Sequence, residues 1–247
     1  MTGARVAAAT LSIAAAAALA CLVRRAAREP FVSPPGRTLV LMYSTPNIMS
    51  YAGLAEKINR AYCRRHGYAF KHVIGSDADE SIMRAVWKKA FLARDELQHH
   101  DVVFWIDSDA IFNDHQRALP LDGPEEFLIC SDWPNGPSLV NTGTFAVKNS
   151  AFGRKFMNSW CSLMTKAGSS YNLKFPFEQQ ACEDLIRSLS PEDAAKVRIA
   201  PAEHMNSVFG NVSRGNFDGL FVVHLMACPA SYRTKVFRRW LQLNRVP

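Results

Sequence analysis

The sequence predicts an α/β fold of Rossmann type, a mostly parallel central sheet flanked by helices. Three observations predict it. Strand-like and helix-like segments alternate between residues 38 and 106, the order that lays helices over a parallel sheet. Val102, Val103, Phe104, Trp105 and Ile106 form an unbroken apolar run, which suits a strand covered on both faces. The helix-like segments are apolar along one stripe, as helices resting on a sheet must be.

Each element follows from its residues. TLVLMY at 38–43 reads as the first core strand, and Ser44, Thr45, Pro46 and Asn47 as the loop at its carboxyl end. Leu54, Ile58, Ala61 and Tyr62 share one face of a helix over 51–66, closed by Gly67 at its C′ position. A second strand spans 68–73. Val86, Ala90, Ala93 and Leu97 mark the buried face of a helix over 83–97, and the apolar 102–106 strand follows. Further strands are expected at 127–130, at 139–147 (interrupted by the polar Asn141-Thr142-Gly143), at 197–200 and at 220–223. Ser150 caps a helix carrying Phe152, Phe156, Trp160 and Leu163 on one stripe. Residues 168–177 read as a flexible aromatic loop, 178–188 as a helix and 231–243 as a basic closing helix.

Composition narrows the function. The 247 residues suffice for one sizeable α/β domain, without room for a second full one. The net charge is +7, but Arg5, Arg24, Arg25 and Arg28 precede the domain and Arg37 opens it, so the folded part is only mildly basic. No long Lys/Arg run or aromatic-basic stripe occurs, so no nucleic-acid partner is expected. The first β-α turn lacks G-x-G-x-x-G, which argues against a dinucleotide cofactor. The six cysteines form no CxxC and no zinc-type cluster, and they leave disulfide pairing and redox compartment open.

Residues 6–23 are uncharged and rich in Ala, Leu, Val and Ile, long enough to span a bilayer. The expected partition is a signal anchor or signal/transit segment at 1–23, a short Pro/Arg-rich stem at 24–36 and the catalytic domain at 37–247. Arg24, Arg25 and Arg28 after the apolar segment sit uneasily with a lumenal domain, since positive flanks stay cytosolic. Asn211-Val212-Ser213 is a glycosylation sequon, used only if the domain is lumenal.

The chemistry concentrates where the 102–106 strand runs out, at Asp107-Ser108-Asp109. Ligands of open α/β sheets sit beyond the strand carboxyl ends. Two carboxylates there offer hard oxygen ligands to a divalent cation that can hold a diphosphate. Two aspartates closing a turn is the plain alternative, but here the pair lies between two apolar runs.

Six stretches in order, HGYAF (66–70), WKKAFLARDEL (87–97), VVFWIDSDAIF (102–112), NTGTFAVKNS (141–150), FEQQA (177–181) and FVVHLMACP (221–229), together resemble glycosyltransferase family 34, the galactosyl, mannosyl and xylosyl transferases. The resemblance covers roughly residues 38–238. It implies a GT-A fold for nucleotide-diphospho-sugar transfer, a UDP- or GDP-sugar donor, Mn²⁺ (or Mg²⁺), a glycan or glycoconjugate acceptor, retention of anomeric configuration, and a Golgi or ER membrane setting through the N-terminal apolar segment. It also implies roles for single residues. Asp107, Asp109 and His224 become the metal ligands, although His224 by itself reads as a satisfied core histidine. Asn141 and Gly143 line the sugar pocket, with a β-bulge as the alternative for Gly143. Glu178 and Gln179 stand near the anomeric carbon, although a helix N-terminus favours Glu on its own account. Thr45, Lys88 and Ser108 are implied donor contacts, with a solvated helix lysine as the alternative for Lys88.

One departure is that Ala227 stands where the family often has glycine, and the stem is very short. Two other readings stay open. One is a haloacid-dehalogenase-like phosphatase, in which D-x-D usually follows the first strand. The other is a non-catalytic nucleotide-sugar- or carbohydrate-binding relic of the same fold.

Overall fold

The structure is a computed structural model describing residues 37–76, 82–132, 139–167, 169–173, 175–208 and 217–245. The apolar 6–23 segment, the stem, the 133–138 loop and the sequon lie outside the described residues. The chain divides into two compact units, residues 1–32 with 120–124 and residues 33–119 with 125–247. Of the first, only the irregular stretch 120–124 is described. The second holds every strand and helix of the described residues.

Its centre is a six-stranded sheet in the order β2-β1-β3-β6-β5-β7. The strands are β1 (Thr38–Ser44), β2 (Ala69–Ile74), β3 (Val102–Ile106), β5 (Phe127–Ser131), β6 (Val140–Lys148) and β7 (Val197–Ala200). β1 pairs in parallel with β2 and β3, β5 in parallel with β7, and β6 runs antiparallel between β3 and β5. A smaller sheet joins β4 (Ala110–Phe112), β9 (Val222–His224) and β8 (Ser207–Val208). The expected mostly parallel sheet is present, with β6 as the one reversed strand.

The helices are α1 (Met49–His66), α2 (Ile82–Glu96), α3 (Ala151–Thr165), α4 (Glu178–Arg187), the short α5 (Pro191–Ala194) and α6 (Ala230–Asn244). Gly67 ends α1 in the left-handed conformation at φ 71°, and its N–H returns to the Cys63 carbonyl. Ser150 caps α3 by accepting from the Gly153 N–H. Burial of β3 is complete, with Trp105 its most exposed member at 2%. Covering each such side chain contributes about 1.5–3 kcal/mol, which makes this strand a rigid base for the acidic turn at its end. Behind the sheet, Phe127, Phe145, Phe156 and Trp160 pack ring against ring. The five cysteines among the described residues are free and buried.

Three expectations need correction. The polar 141–143 stretch does not interrupt its strand. β6 is one strand from Val140 to Lys148 and pairs with β3 over Thr144–Lys148, while on its other edge the β5 partner jumps from Phe145 to Asn141. The irregularity is therefore a bulge, which re-aims side chains without ending the strand. Ala110–Phe112, read only as an apolar run, is a strand because β9 pairs with it. The last strand begins two residues later than expected, because the Asn113 side-chain amide donates to the Phe217 and Leu220 carbonyls and holds that stretch in a turn.

Candidate active site

β1 connects to β2 on one side, and the chain then crosses to β3 on the other. Strand order reverses between β1 and β3, the place where open α/β sheets form a ligand crevice. A cleft of about 150 Å³ opens there, lined by Ser44 at the end of β1, Thr45 after it, Lys89 of α2, and Asp107, Ser108 and Asp109 after β3. Two larger hollows, about 750 and 800 Å³, flank α6 and contain none of the sequence-predicted site residues.

Asp107, Asp109 and His224 converge, with one ligand atom from each lying within 4.8 Å of the others. The small sheet brings this about: β4 begins directly after Asp109, and its pairing with β9 sets Ala110 opposite His224. His224 Nε2 is 3.1 Å from Asp109 Oδ1, and Nδ1 lies 2.8 Å from Asn206 Oδ1. With Nδ1–H donating to Asn206, the Nε2 lone pair of the neutral ring faces the carboxylates, as in a ligating imidazole braced from behind. Two acidic oxygens and one imidazole nitrogen suit Mn²⁺ or Mg²⁺-type chemistry, so these residues fit a divalent cation. Burial works against the imidazolium, but Asp109 outweighs it and holds the ring above its usual pKa. Burial likewise opposes the Asp109 carboxylate, and His224 and Arg233 together hold it well below the usual range.

A second buried cluster adjoins the first. Lys89 Nζ stands 3.1 Å from Asp107 Oδ1 and 3.3 Å from Glu178 Oε1. Burial opposes the ammonium, yet the two acids keep its pKa above the ordinary value. Burial also lifts the Glu178 carboxyl, against the pull of Lys89. Trp105 Nε1 donates to Asp107 Oδ1 at 2.7 Å, and Thr142 Oγ1 to Glu178 Oε1 at 3.1 Å. Phe177, at φ 49°, turns the chain into α4 so that Glu178 opens the helix against this cluster.

The remaining predicted residues fall at varied distances from that centre. The Gln179 side-chain carbonyl accepts the Thr142 N–H at 3.2 Å. Asn141 donates to Asp132 Oδ1 and accepts from the Gly143 N–H. The Gly143 carbonyl accepts the Asp107 N–H at 2.8 Å, tying the bulge to the acidic turn. Thr45 lines the cleft, and the Ser108 hydroxyl donates to the Tyr43 carbonyl beneath it. From α2, Ala85, Val86 and Lys89 line the cleft, and Lys88, the expected donor contact, is half-buried one position, or 100° of helix turn, from Lys89. Ala227, the departure from the family pattern, adopts φ 57°. That left-handed backbone explains why glycine suits the position, and alanine there costs about 1–2 kcal/mol. Arg233, which sequence reasoning passed over, places Nη2 2.6 Å from Asp109 Oδ2.

The fold is that of GT-A glycosyltransferases. A glycosyltransferase involved in glycosylation of the major capsid of PBCV-1 superposes with TM-score 0.66 at 17% identity, covering 81% of this chain and 99% of that one. The galactosyltransferase LgtC, solved with donor and acceptor sugar analogs, gives TM-score 0.51 at 12% identity over 81% and 95% of the two chains. The model of the galactosyl transferase GMA12/MNN10 family matches residues 39–122. Galactomannan galactosyltransferase 1 of Cyamopsis tetragonoloba is 29% identical over 112 residues, 41% of this chain. Xyloglucan 6-xylosyltransferase 1 of Arabidopsis thaliana is 31% identical over 117 residues, 42% of this chain. In each case the match spans 25% of the relative's length. The expected resemblance to glycosyltransferase family 34 and the GT-A fold are thus borne out. Among the described residues no helix is long and apolar enough to cross a membrane.

Proposed function

We propose that the chain transfers a hexose or pentose from a UDP- or GDP-sugar to a glycan or glycoconjugate acceptor, with retention at the anomeric carbon. The observation that carries this reading is the meeting of Asp107, Asp109 and His224 at the strand-order reversal of a GT-A fold. A divalent cation held by these three would supply Lewis-acid neutralisation of the departing diphosphate. The chain's own residues do the rest. Trp105 and Lys89 fix the Asp107 carboxylate, while Asn206 fixes the His224 ring. Thr45, Ser108 and Gly143 form the floor and wall against which the donor lies. Glu178, Gln179 and Asn141 are the polar groups available to stabilise positive charge developing at the anomeric carbon. Retention requires the acceptor hydroxyl to attack on the face that the diphosphate leaves, and a departing phosphate oxygen can take its proton.

The test is release of nucleotide diphosphate from a panel of UDP- and GDP-sugars with Mn²⁺. Turnover of at least one donor is expected, lost in Asp107→Asn and in Asp109→Asn with the fold retained. A panel that yields no turnover, or variants as active as the parent, would sink the reading.

Placement is part of the same proposal. Residues 6–23 anchor the chain in a Golgi or ER membrane, 24–36 form the stem, and the domain from 37 faces the lumen. A mobility shift on deglycosylation, lost in Asn211→Gln, is expected; an unmodified Asn211 in the full chain overturns the lumenal placement.

A further inference from the structure

Arg233 sits on α6 three, four and seven residues before Val236, Phe237 and Trp240, which the helix buries. That spacing puts it on the same inward face, and its side chain is only 16% exposed. It reaches three separate parts of the chain. Nε donates to the carbonyl of Leu225, the residue after His224, at 3.0 Å. Nη1 donates to the Tyr51 hydroxyl at 3.0 Å, and Tyr51 lines the cleft. Nη2 meets Asp109 Oδ2 at 2.6 Å, while Oδ1 of the same carboxylate faces His224.

A guanidinium has five N–H donors, and these contacts use three. One hydrogen on each terminal nitrogen is left without a partner among the described residues. As a support for metal binding alone the arrangement is poor, because a fixed cation on the outer oxygen draws charge away from the ligand. It is well suited to an anion lying beside the cation, since Arg presents planar paired donors to phosphate. We infer that Arg233 contacts the diphosphate of the donor, sharing with the metal the charge of the leaving group. This rests on reading the cleft as a nucleotide-sugar site.

The experiment is calorimetric and needs no turnover. Mn²⁺ alone, then UDP and GDP with Mn²⁺, are titrated into the wild-type chain, Arg233→Met and Arg233→Lys. Methionine keeps the apolar stem, and Val236, Phe237 and Trp240 hold α6 in place, with circular dichroism as the check on folding. The expected result is opposite movement in Arg233→Met. Mn²⁺ binds more tightly, because a nearby positive charge is gone. The nucleotide that the wild type binds is weakened by about tenfold or more, the worth of a charge-assisted hydrogen bond. Arg233→Lys recovers part of that loss. If Mn²⁺ and nucleotide affinity fall together, Arg233 is a structural brace and the inference is overturned, as it is if nucleotide affinity does not move. If the wild type itself binds neither nucleotide, the failure belongs to the nucleotide-sugar reading of the site.

Discussion

Gly143 and His224 occupy space that only a glycine leaves open. A Cβ on Gly143 would lie 2.3 Å from His224 Cε1 and 2.7 Å from Nδ1. The glycine, expected to line the sugar pocket, thus makes room first for the imidazole. Gly143→Ala should push the ring away from Asp109 at a cost of about 1–3 kcal/mol in stability, the usual scale for overpacking. Mn²⁺ affinity should fall by about tenfold or more while the far-ultraviolet spectrum is kept. An unchanged titration with Mn²⁺ would show that the ring is not held by this contact.

Lys89 bridges two acids that sit on different elements, Asp107 after β3 and Glu178 at the start of α4. Removing one partner of a buried ion pair strands the others, and costs about 3–5 kcal/mol. Lys89→Met should therefore lower the urea midpoint strongly and loosen Asp107 as a ligand. In a double variant with Glu178→Gln, part of the lost stability should return, because one stranded charge is gone. Lys88→Met, one helix position from the lysine that meets Asp107 and Glu178, should leave Mn²⁺ affinity as it is. Equal effects of the two single variants on Mn²⁺ binding would reject the bridging role.

The two lysines also mark how far the sequence could be read. The strands were legible because runs such as Val102–Ile106 carry their burial in their composition, and Asp107 and Asp109 because they end one of those runs. Lys89 was legible too, had the helix period been applied to charged residues. It lies three residues after Val86 and four before Ala93, on the apolar face, whereas Lys88 does not. Arg233 gives the same signal before Val236 and Phe237. The meeting of β4 with β9 was not legible, because pairing across more than a hundred residues leaves no local trace. His224 was accordingly reached through the family resemblance. The bulge at Thr142–Thr144 was legible only as the alternative reading of Gly143, because only the β5 register betrays it.

Beneath the acidic turn runs a chain of hydrogen bonds whose direction is fixed at one end. The Tyr43 carbonyl can only accept, so Ser108 Oγ donates to it and must accept from Ser44 Oγ at 2.8 Å. Ser44 Oγ in turn accepts from His72 Nε2 at 2.8 Å, and His72 Nδ1 meets Glu56 Oε2 at 2.9 Å. His72 thereby braces the residue between the two aspartates from a different strand. Supporting contacts of this kind typically govern metal affinity by about 10–100-fold. His72→Phe should weaken Mn²⁺ binding toward the lower end of that range, and His72→Gln, which retains a donor, should recover most of it. Equal losses in both variants would mean that the ring packs and does not brace.

The acid side of the stability profile should be shaped by His115. Its ring packs 4.9 Å from that of Trp240, and its Nε2 is buried without a hydrogen-bond partner among the described residues. Burial is the main cause that pushes its pKa down to about 4, and the nearby Arg65 and His66 act in the same direction. In the unfolded chain the same group titrates near about 6.5. Between those values the unfolded state binds the extra proton, so stability falls as pH drops. The contribution is whole above about 6.5 and lost progressively on the way to about 4. His115→Gln removes this titration while all other groups remain, so its stability should fall less than the wild type's between pH 7 and pH 5. Urea midpoints of the two proteins at each pH measure the difference directly. Parallel losses would show that the imidazole reaches solvent and takes its proton in the folded state.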